Sequence, residues 1–340
     1  MKEIDLLPST LLSTPSMKLV RQCYVQSFRD VIRFRGAKRD DEAAAERFTS
    51  VIGAVKERHA DAVETVAQGL VEMKEMRDGE KILDERRAEI QYFLDRFYAS
   101  RISIRMLLSQ HLVLFGNECS YPDHIGVIDP RCDTSEIIYQ AGESARILCE
   151  HYYMNCPGVE ILGDTALVIP YVPSHLYHIL FELFKNSFRA VAESRGKLTT
   201  MSMPPVKVFV AKGNEDIAIK IVDEGGGVPR SNLDNLFQYS YTTASQEPDF
   251  SGRPFMAPLA GYGYGLPLAR LYARYFNGDL VLTSVEGHGT DVIVYLKALS
   301  EEAIEVLPIY NSSLTKYYER KHAPANWSNY GKSIQRRQSR

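Results

Sequence analysis

Residues 174–193 read SHLYHILFELFKNSFRAVAE, and the reading of this stretch decides the fold of the rest. Leu176, Ile179, Leu180, Leu183, Phe184 and Phe188 recur at helical spacing, so the segment is a core helix over most of its surface. His178, Glu182 and Asn186 recur every fourth residue, which stacks them on one face, and Lys185 lies beside them. Taken alone, such a stripe reads as the solvated side of an amphipathic helix. Three glycine-rich clusters further along the chain turn the reading toward a ligand site.

The first cluster, Asp223-Glu224-Gly225-Gly226-Gly227-Val228-Pro229, directly follows a β-type run; the second, Gly261-Tyr262-Gly263-Tyr264-Gly265-Leu266-Pro267, directly precedes a helical pattern; the third, Gly287-His288-Gly289-Thr290-Asp291, lies in a hairpin. Any one of them is ordinary turn chemistry. Three of them beside a polar-striped helix ask for more. Glycines that open a helix let the backbone approach a ligand, and the free amides with the helix dipole favour an anion such as a polyphosphate, which makes Gly261 to Leu266 a phosphate cradle. A carboxylate at a strand end can accept a hydrogen bond from an exocyclic amine while a flat ring lies on the bare turn, so Asp223 reads adenine over Gly225 and Gly227. Asn186 offers a neutral oxygen to Mg²⁺, a cation that usually shares its oxygen ligands with substrate phosphates. Glu182, one turn earlier, is placed to take a proton from an attacking hydroxyl or water.

Working outward, VEILG and ALVIPYVP precede the striped helix as strands, PVKVFVAKG and DIAIKIVDEG form a strand pair, and GDLVLTSVEG with GTDVIVYLKAL closes as a hairpin. A second helix starts near Gly265. This pattern predicts a two-layer α/β sandwich with a mostly antiparallel or mixed sheet, not a doubly wound fold. Before Pro157-Gly158 the chain is almost wholly helical. Segments beginning at Val20, Asp41, Leu83 and Thr134 carry apolar residues at three-and-four spacing and predict a four-helix bundle, with breaks at Arg35-Gly36, Asp78-Gly79, Gly116-Asn117 and a longer connection through Pro122 and Asp129-Pro130. The expected divisions are 1–156 for the bundle, 157–299 for the nucleotide domain and 300–340 for a tyrosine-rich tail ending in basic residues.

A length of 340 residues suits two domains. A charged fraction of 24% and a net charge of -3 carry no nucleic-acid footprint. Five cysteines without a CxxC pair argue against a disulfide framework or zinc site and for a reducing compartment. The longest apolar run is interrupted by His178 and Glu182 and is too short to span a bilayer, so the chain reads as soluble, without membrane insertion. The first residues show neither a secretory core nor an Arg-rich presequence.

The order E-x-x-K-N, D-x-G-x-G, G-x-G-x-G, G-x-G-T resembles the ATPase superfamily of histidine kinases, gyrase and MutL-type proteins, the histidine-kinase-like (Bergerat) fold. Within it, LDRFYASRISIRMLLSQH, HIGVIDPRC, YVPSHLYHILFELFKNSFRA, DEGGGVP, LAGYGYGLPLARLYARYFNGDL and GTDVIVYLKALS resemble the mitochondrial pyruvate dehydrogenase kinases from Met1 to roughly Tyr310. The resemblance implies ATP and Mg²⁺ as cofactors. It makes Glu182 the general base with His178 as its modulator, gives Lys185, Asn186 and Arg189 to phosphate and metal, and leaves adenine to Asp223. It also places Thr242 and Thr243 on a nucleotide lid spanning Tyr241 to Ala260 and counts Thr290 among the nucleotide-binding residues. It implies direct phosphorylation and inactivation of the E1α subunit of the pyruvate dehydrogenase complex, docking on a lipoyl domain of the dihydrolipoyl acetyltransferase core, a homodimer and the mitochondrial matrix. Tyr24, Ser27, His59, Arg101 and Arg105 match the family's inhibitory pyruvate pocket, with Lys56 where an arginine is common; for Arg101 and Arg105 the alternative is salt bridging within the bundle.

Besides Lys56, two further departures from the family pattern accompany the match. The family's further N-terminal segment precedes the residues matching MKEIDLLP, and its C-terminal Asp-Trp pair, which joins subunits, is Asn326-Trp327 here. Other readings remain to be separated. A branched-chain 2-oxoacid dehydrogenase kinase keeps the fold and changes the substrate. A sensor histidine kinase needs an acceptor histidine followed by an acidic residue, which His59, His111 and His151 do not provide. An ATP-hydrolysing mechanical protein needs a transducer domain after Leu299. A non-catalytic module leaves Glu182, Asn186 and Asp223 without a purpose.

Overall fold

The structure is a computed structural model and describes residues 4, 7–38, 41–76, 79–116, 121, 123–164, 166–195, 203–239, 241–242, 263–298, 301 and 303–306. In chain order its elements are α1 (Ser9–Ser13), α2 (Pro15–Ile32), α3 (Glu42–Arg58), α4 (Ala62–Glu75), α5 (Gly79–Glu85), α6 (Arg87–Phe115), β1 (Asp129–Asp133), α7 (Thr134–Tyr153), β2 (Val159–Gly163), β3 (Val168–Tyr171), α8 (Pro173–Arg195), β4 (Val206–Lys212), β5 (Asp216–Asp223), a 3₁₀ turn (Arg230–Asn235), α9 (Gly265–Tyr275), β6 (Asp279–Val285) and β7 (Gly289–Lys297). A helical N-terminal region thus precedes a mixed α/β sheet domain. The described residues group into two compact units, one within 1–33 and 58–100, the other within 34–57 and 101–306.

In the first unit, Thr14 starts α2: its Oγ1 accepts from the Met17 N–H at 3.3 Å and donates to the Leu11 carbonyl at 2.8 Å, with Pro15 at the first helical position. A cap of this kind stabilises a helix by about 1 kcal/mol. Met17 and Val20 then bury against Val66, Leu70 and Met73, and Phe93, Leu94 and Tyr98 of α6 complete the core. Gly69 is required where α2 meets α4, since a Cβ there would stand 2.9 Å from Met17 Cγ. The apolar pattern predicts one helix from Asp41 to Met76, yet α3 ends at Arg58 and α4 begins at Ala62. The break falls where the chain passes from one unit to the other, and it lets His59 bury its ring edge-on to Tyr24 with centroids 4.4 Å apart.

The second unit is built on a five-stranded sheet of order β2-β4-β5-β7-β6. β2 runs parallel to β4 and the other pairings are antiparallel. A parallel pair needs a crossover, which β3 and α8 supply. Alternation sorts the strands cleanly: Val206, Val208 and Val210, then Ile217, Ile219 and Ile221, then Val292, Val294 and Leu296 are buried with the apolar side of α8. β1 is a finding that alternation did not predict. It pairs antiparallel with β3 as a separate two-stranded sheet, with a register shift between Asp129 and Cys132. A proline and three charged residues in five positions leave no two-residue period to read. Behind it, Asp133 caps α7 through Ser135 N–H at 2.9 Å, and Thr134 donates from both N and Oγ1 to the Leu167 carbonyl. The expected tail lies almost wholly outside the described residues; within it, Val306 N–H donates to the Tyr275 carbonyl at 2.8 Å.

Candidate active site

Two periodicities assemble the site. Along β5 the buried positions are 217, 219, 221 and then 223, so Asp223 occupies the inward position where a fourth core isoleucine would fit. Along α8 the buried Leu183, Phe184 and Phe188 anchor one side and turn Glu182, Asn186 and Arg189 toward a partly open one.

Asp223 is 5% exposed, and burial pushes its carboxyl up from the ordinary range. Three donors oppose that rise: the Gly225 N–H at 3.0 Å, the Ser187 hydroxyl and the Thr290 N–H. The glycines of the first cluster are steric necessities. A Cβ on Gly225 would press into Ala190 and the Val191 nitrogen of α8, and one on Gly227 (φ +66°) would strike the Val285 carbonyl. The first and third clusters also clasp each other, with Gly226 N–H donating to the His288 carbonyl at 3.1 Å and Gly287 N–H to the Gly226 carbonyl at 2.8 Å. Ser284 fastens the same corner, accepting from Val228 N–H at 2.8 Å and lying 3.0 Å from Thr290 Oγ1.

At the other end of the stripe, Glu182 Oε1 is 2.8 Å from Lys185 Nζ, and both side chains keep some solvent access. The Lys185 ammonium also lies 5.0 Å from the centroid of Phe181. Glu182 Oε2 rests against the backbone of Gly265, where any Cβ would collide with it. Gly265 opens α9, whose first turn has no side-chain cap and no acidic residue, so its N–H groups suit an anion. Gly263, at φ +67°, lies against the backbone of Tyr241, where a Cβ would clash. Behind Glu182, burial lowers the pKa of His178, offset in part by Glu182 and reinforced by Lys185, Arg101 and Arg105. The imidazole is therefore neutral, its ring 4.6 Å from Tyr272 and its Nε2 without a hydrogen bond among the described residues.

The structure thus brings Glu182, His178, Lys185 and Gly265 together along the middle turns of α8, and Asp223, Gly225, Gly227 and Thr290 together beside the turns that carry Ser187 and Ala190, with Asn186 and Arg189 on the partly open side of the same helix. Tyr264 and Leu266 flank Gly265, with Tyr264 in ring contact with Tyr239 at 5.2 Å. Thr242 is described and exposed. Gly261, Tyr262 and Thr243 lie outside the described residues, as does nearly all of the expected lid.

Of the five residues matched to a regulatory pocket, Tyr24, Ser27 and His59 meet in the first unit, with Ser27 Oγ 2.8 Å from His59 Nε2. Arg101 and Arg105 belong to the second unit, where their charges act on His178 and Tyr272. Sequence reasoning missed three neighbours. Arg58 donates to Ser27 Oγ at 2.8 Å and pairs with Asp30 at 2.9 Å, so an arginine does reach this cluster, from a position other than Lys56. Ser187 and Ser284 were missed because a serine in a helix or strand carries no motif; only the inward parity of 187 on α8 could have pointed to it.

Comparison with known proteins identifies the family. The family model described as mitochondrial branched-chain alpha-ketoacid dehydrogenase kinase matches residues 1–129, and that of the histidine kinase-, DNA gyrase B- and HSP90-like ATPases matches residues 171–300. The mitochondrial pyruvate dehydrogenase (acetyl-transferring) kinase of Drosophila melanogaster is 49% identical over 100% of this chain and 83% of its own length. The enzyme of the same name from Ascaris suum is 49% identical over 96% of this chain and 82% of its own. Human isozyme 1 is 46% identical over 96% and 76%. With an ATPase-type domain at 171–300 and identity at this level along the whole length, the chain belongs to the mitochondrial pyruvate dehydrogenase kinase family.

Proposed function

We propose that this protein is a mitochondrial protein serine kinase that transfers the γ-phosphoryl group of ATP to the E1α subunit of the pyruvate dehydrogenase complex and so inactivates it. The observation that carries the reading is one helix with a solvent-reachable glutamate, paired to Lys185 at 2.8 Å, on one turn and a buried acceptor, Asp223, against a later turn. The serine hydroxyl of E1α attacks the γ-phosphorus, its proton passes to a Glu182 carboxylate oxygen, and ADP leaves. Transfer of this kind has a loose transition state, so the protein acts mainly by positioning and electrostatics. Lys185 holds the Glu182 carboxylate and lies within reach of phosphate oxygens. The neutral His178 behind it keeps further positive charge away from the base. Asp223 accepts from the adenine amine, and the uncapped first turn of α9 receives phosphate oxygens.

Mg²⁺ fits this donor set through the neutral amide oxygen of Asn186 together with phosphate oxygens, and when bound it neutralises phosphate charge. Residues 1–156 serve docking on the lipoyl domain and the regulatory cluster, 157–299 the nucleotide, and 300–340 the contacts of a homodimer. The names of the relatives support a mitochondrial site of action, and the matrix, as the compartment of the proposed substrate complex, is part of this reading. No described helix is long and apolar enough to cross a membrane.

A branched-chain E1 is the second reading, favoured by the description of the family model that matches residues 1–129. Incubating the protein with γ-labelled ATP and purified pyruvate dehydrogenase E1 or branched-chain E1, with and without the lipoyl-bearing core, separates the two. Preferential labelling of pyruvate dehydrogenase E1, stimulated by the core, is expected; preferential labelling of the branched-chain E1 overturns the substrate assignment.

A further inference from the structure

Asp223 cannot read an amine merely by being present. An ionised carboxylate has about four lone-pair directions, and a base-reading acceptor needs one of them free and correctly aimed. Gly225 N–H, at 3.0 Å, and Thr290 N–H take two from the backbone on either side of the strand end. The third donor, the Ser187 hydroxyl, comes from α8, the helix that also carries Glu182 and Asn186. Ser187 is 3% exposed and its side chain is turned to the sheet, away from the stripe.

We propose that Ser187 is a positioning residue for nucleotide recognition: its hydroxyl, donated to the Asp223 carboxyl, aims the remaining acceptor direction at the adenine amine and ties the base-reading carboxylate to the helix that bears the general base. The proposal rests on the assignment of Asp223 to adenine. Backbone donors fix the carboxylate along the strand, but only a donor from the helix fixes its rotation toward the space above Gly225 and Gly227. The same bond favours the ionised form of Asp223 against the upward push of burial and of nearby Asp291. Without it the carboxyl rises further and, as pH falls, becomes protonated sooner; a protonated carboxyl offers a donor where the adenine amine needs an acceptor. The bond therefore acts on both aim and charge.

The test uses the full chain and its Ser187→Ala, Ser187→Thr and Asp223→Asn variants, titrated with ATP and with purine riboside triphosphate, which lacks the exocyclic amine, from pH 5 to pH 8. Ser187→Ala is expected to weaken ATP about threefold to tenfold, the worth of one buried hydrogen bond. It should change purine riboside triphosphate binding much less, move the acid limb of ATP affinity to higher pH, and raise KM for ATP with kcat nearly unchanged; Ser187→Thr should restore ATP binding. Equal weakening of both nucleotides, or an unmoved acid limb, makes Ser187 a packing residue and overturns the proposal. Asp223→Asn separates the two levels. If that variant loses ATP while Ser187→Ala does not, the positioning role alone fails; if it binds ATP like the parent chain, the adenine assignment fails with it.

Discussion

Two neighbouring stretches of α8 serve carboxylates with opposite needs. Against the later turns Asp223 is buried and held by three donors, and Gly225 and Gly227 beside it have no room for a Cβ. On the earlier turn Glu182 is paired with Lys185 and keeps a share of solvent. A carboxylate that recognises a base gains from being fixed, because a misplaced acceptor loses the hydrogen bond. A carboxylate that collects a proton gains from access, because the hydroxyl it serves arrives on another protein. The contrast teaches that burial, more than residue type, separates the reader from the base.

The sharpest way to break that comparison is Glu182→Gln. General-base catalysis contributes roughly 10²–10⁴-fold, so single-turnover transfer should fall by that factor while ATP affinity stays within about threefold; surviving transfer would remove Glu182 from the role.

Asp223→Asn should do the reverse. ATP affinity is expected to fall roughly 10- to 100-fold through the loss of a charge-assisted hydrogen bond. The folded carboxyl is raised, so its contribution to stability is present below the unfolded value and lost as pH rises through the folded one. At neutral pH it therefore opposes folding, and the nucleotide-free variant should melt at the same temperature or higher in calorimetry.

A smaller effect distinguishes the region behind Glu182. Burial, with His178 and Arg105 adding to it, lowers His175 to about 3. The folded form stays neutral while the unfolded chain takes up a proton below about pH 6.5, so stability is full above that pH and declines as pH falls toward 3. Between pH 6.5 and pH 5 the loss should be roughly 2 kcal/mol. Denaturant titrations at the two pH values should show it, and His175→Phe should flatten the slope.

The smallest expected effect is on Gly265→Ala. Its methyl would push against Glu182 Oε2 while raising helix propensity at the start of α9. Transfer should drop about fivefold to tenfold, as befits a carboxylate shifted by a fraction of an ångström, with melting temperature changed little. Comparable loss in ATP affinity would show that the glycine serves the phosphates rather than the base.

Much of this was legible in order. The stretch 174–193 announced a helix with two sides, and VEILG marks β2 to its end residues because flanking glycines and a proline punctuate it. Asp223 could be placed on the inward face by counting in twos from Ile217. What stayed illegible had no local signal. β1 has no alternation, His59 interrupts a pattern that continues on both sides of it, and Arg58 looks like any charged residue at a helix end. Nearly all of the expected lid and tail fall outside the described residues.

The sequence by itself determined which side chains share a face, because a helix repeats every 3.6 residues and a strand every two, whatever surrounds them. That is enough to align Glu182 with Asn186 and Asp223 with three core isoleucines. Only the tertiary structure decided that Ser187 meets Asp223 across 36 positions of chain, that Glu182 lies on Gly265, and that Gly225 needs the space above Ala190. Contacts between distant segments depend on how sheet and helix pack, and packing is settled by the fit of whole surfaces rather than by the period of either one.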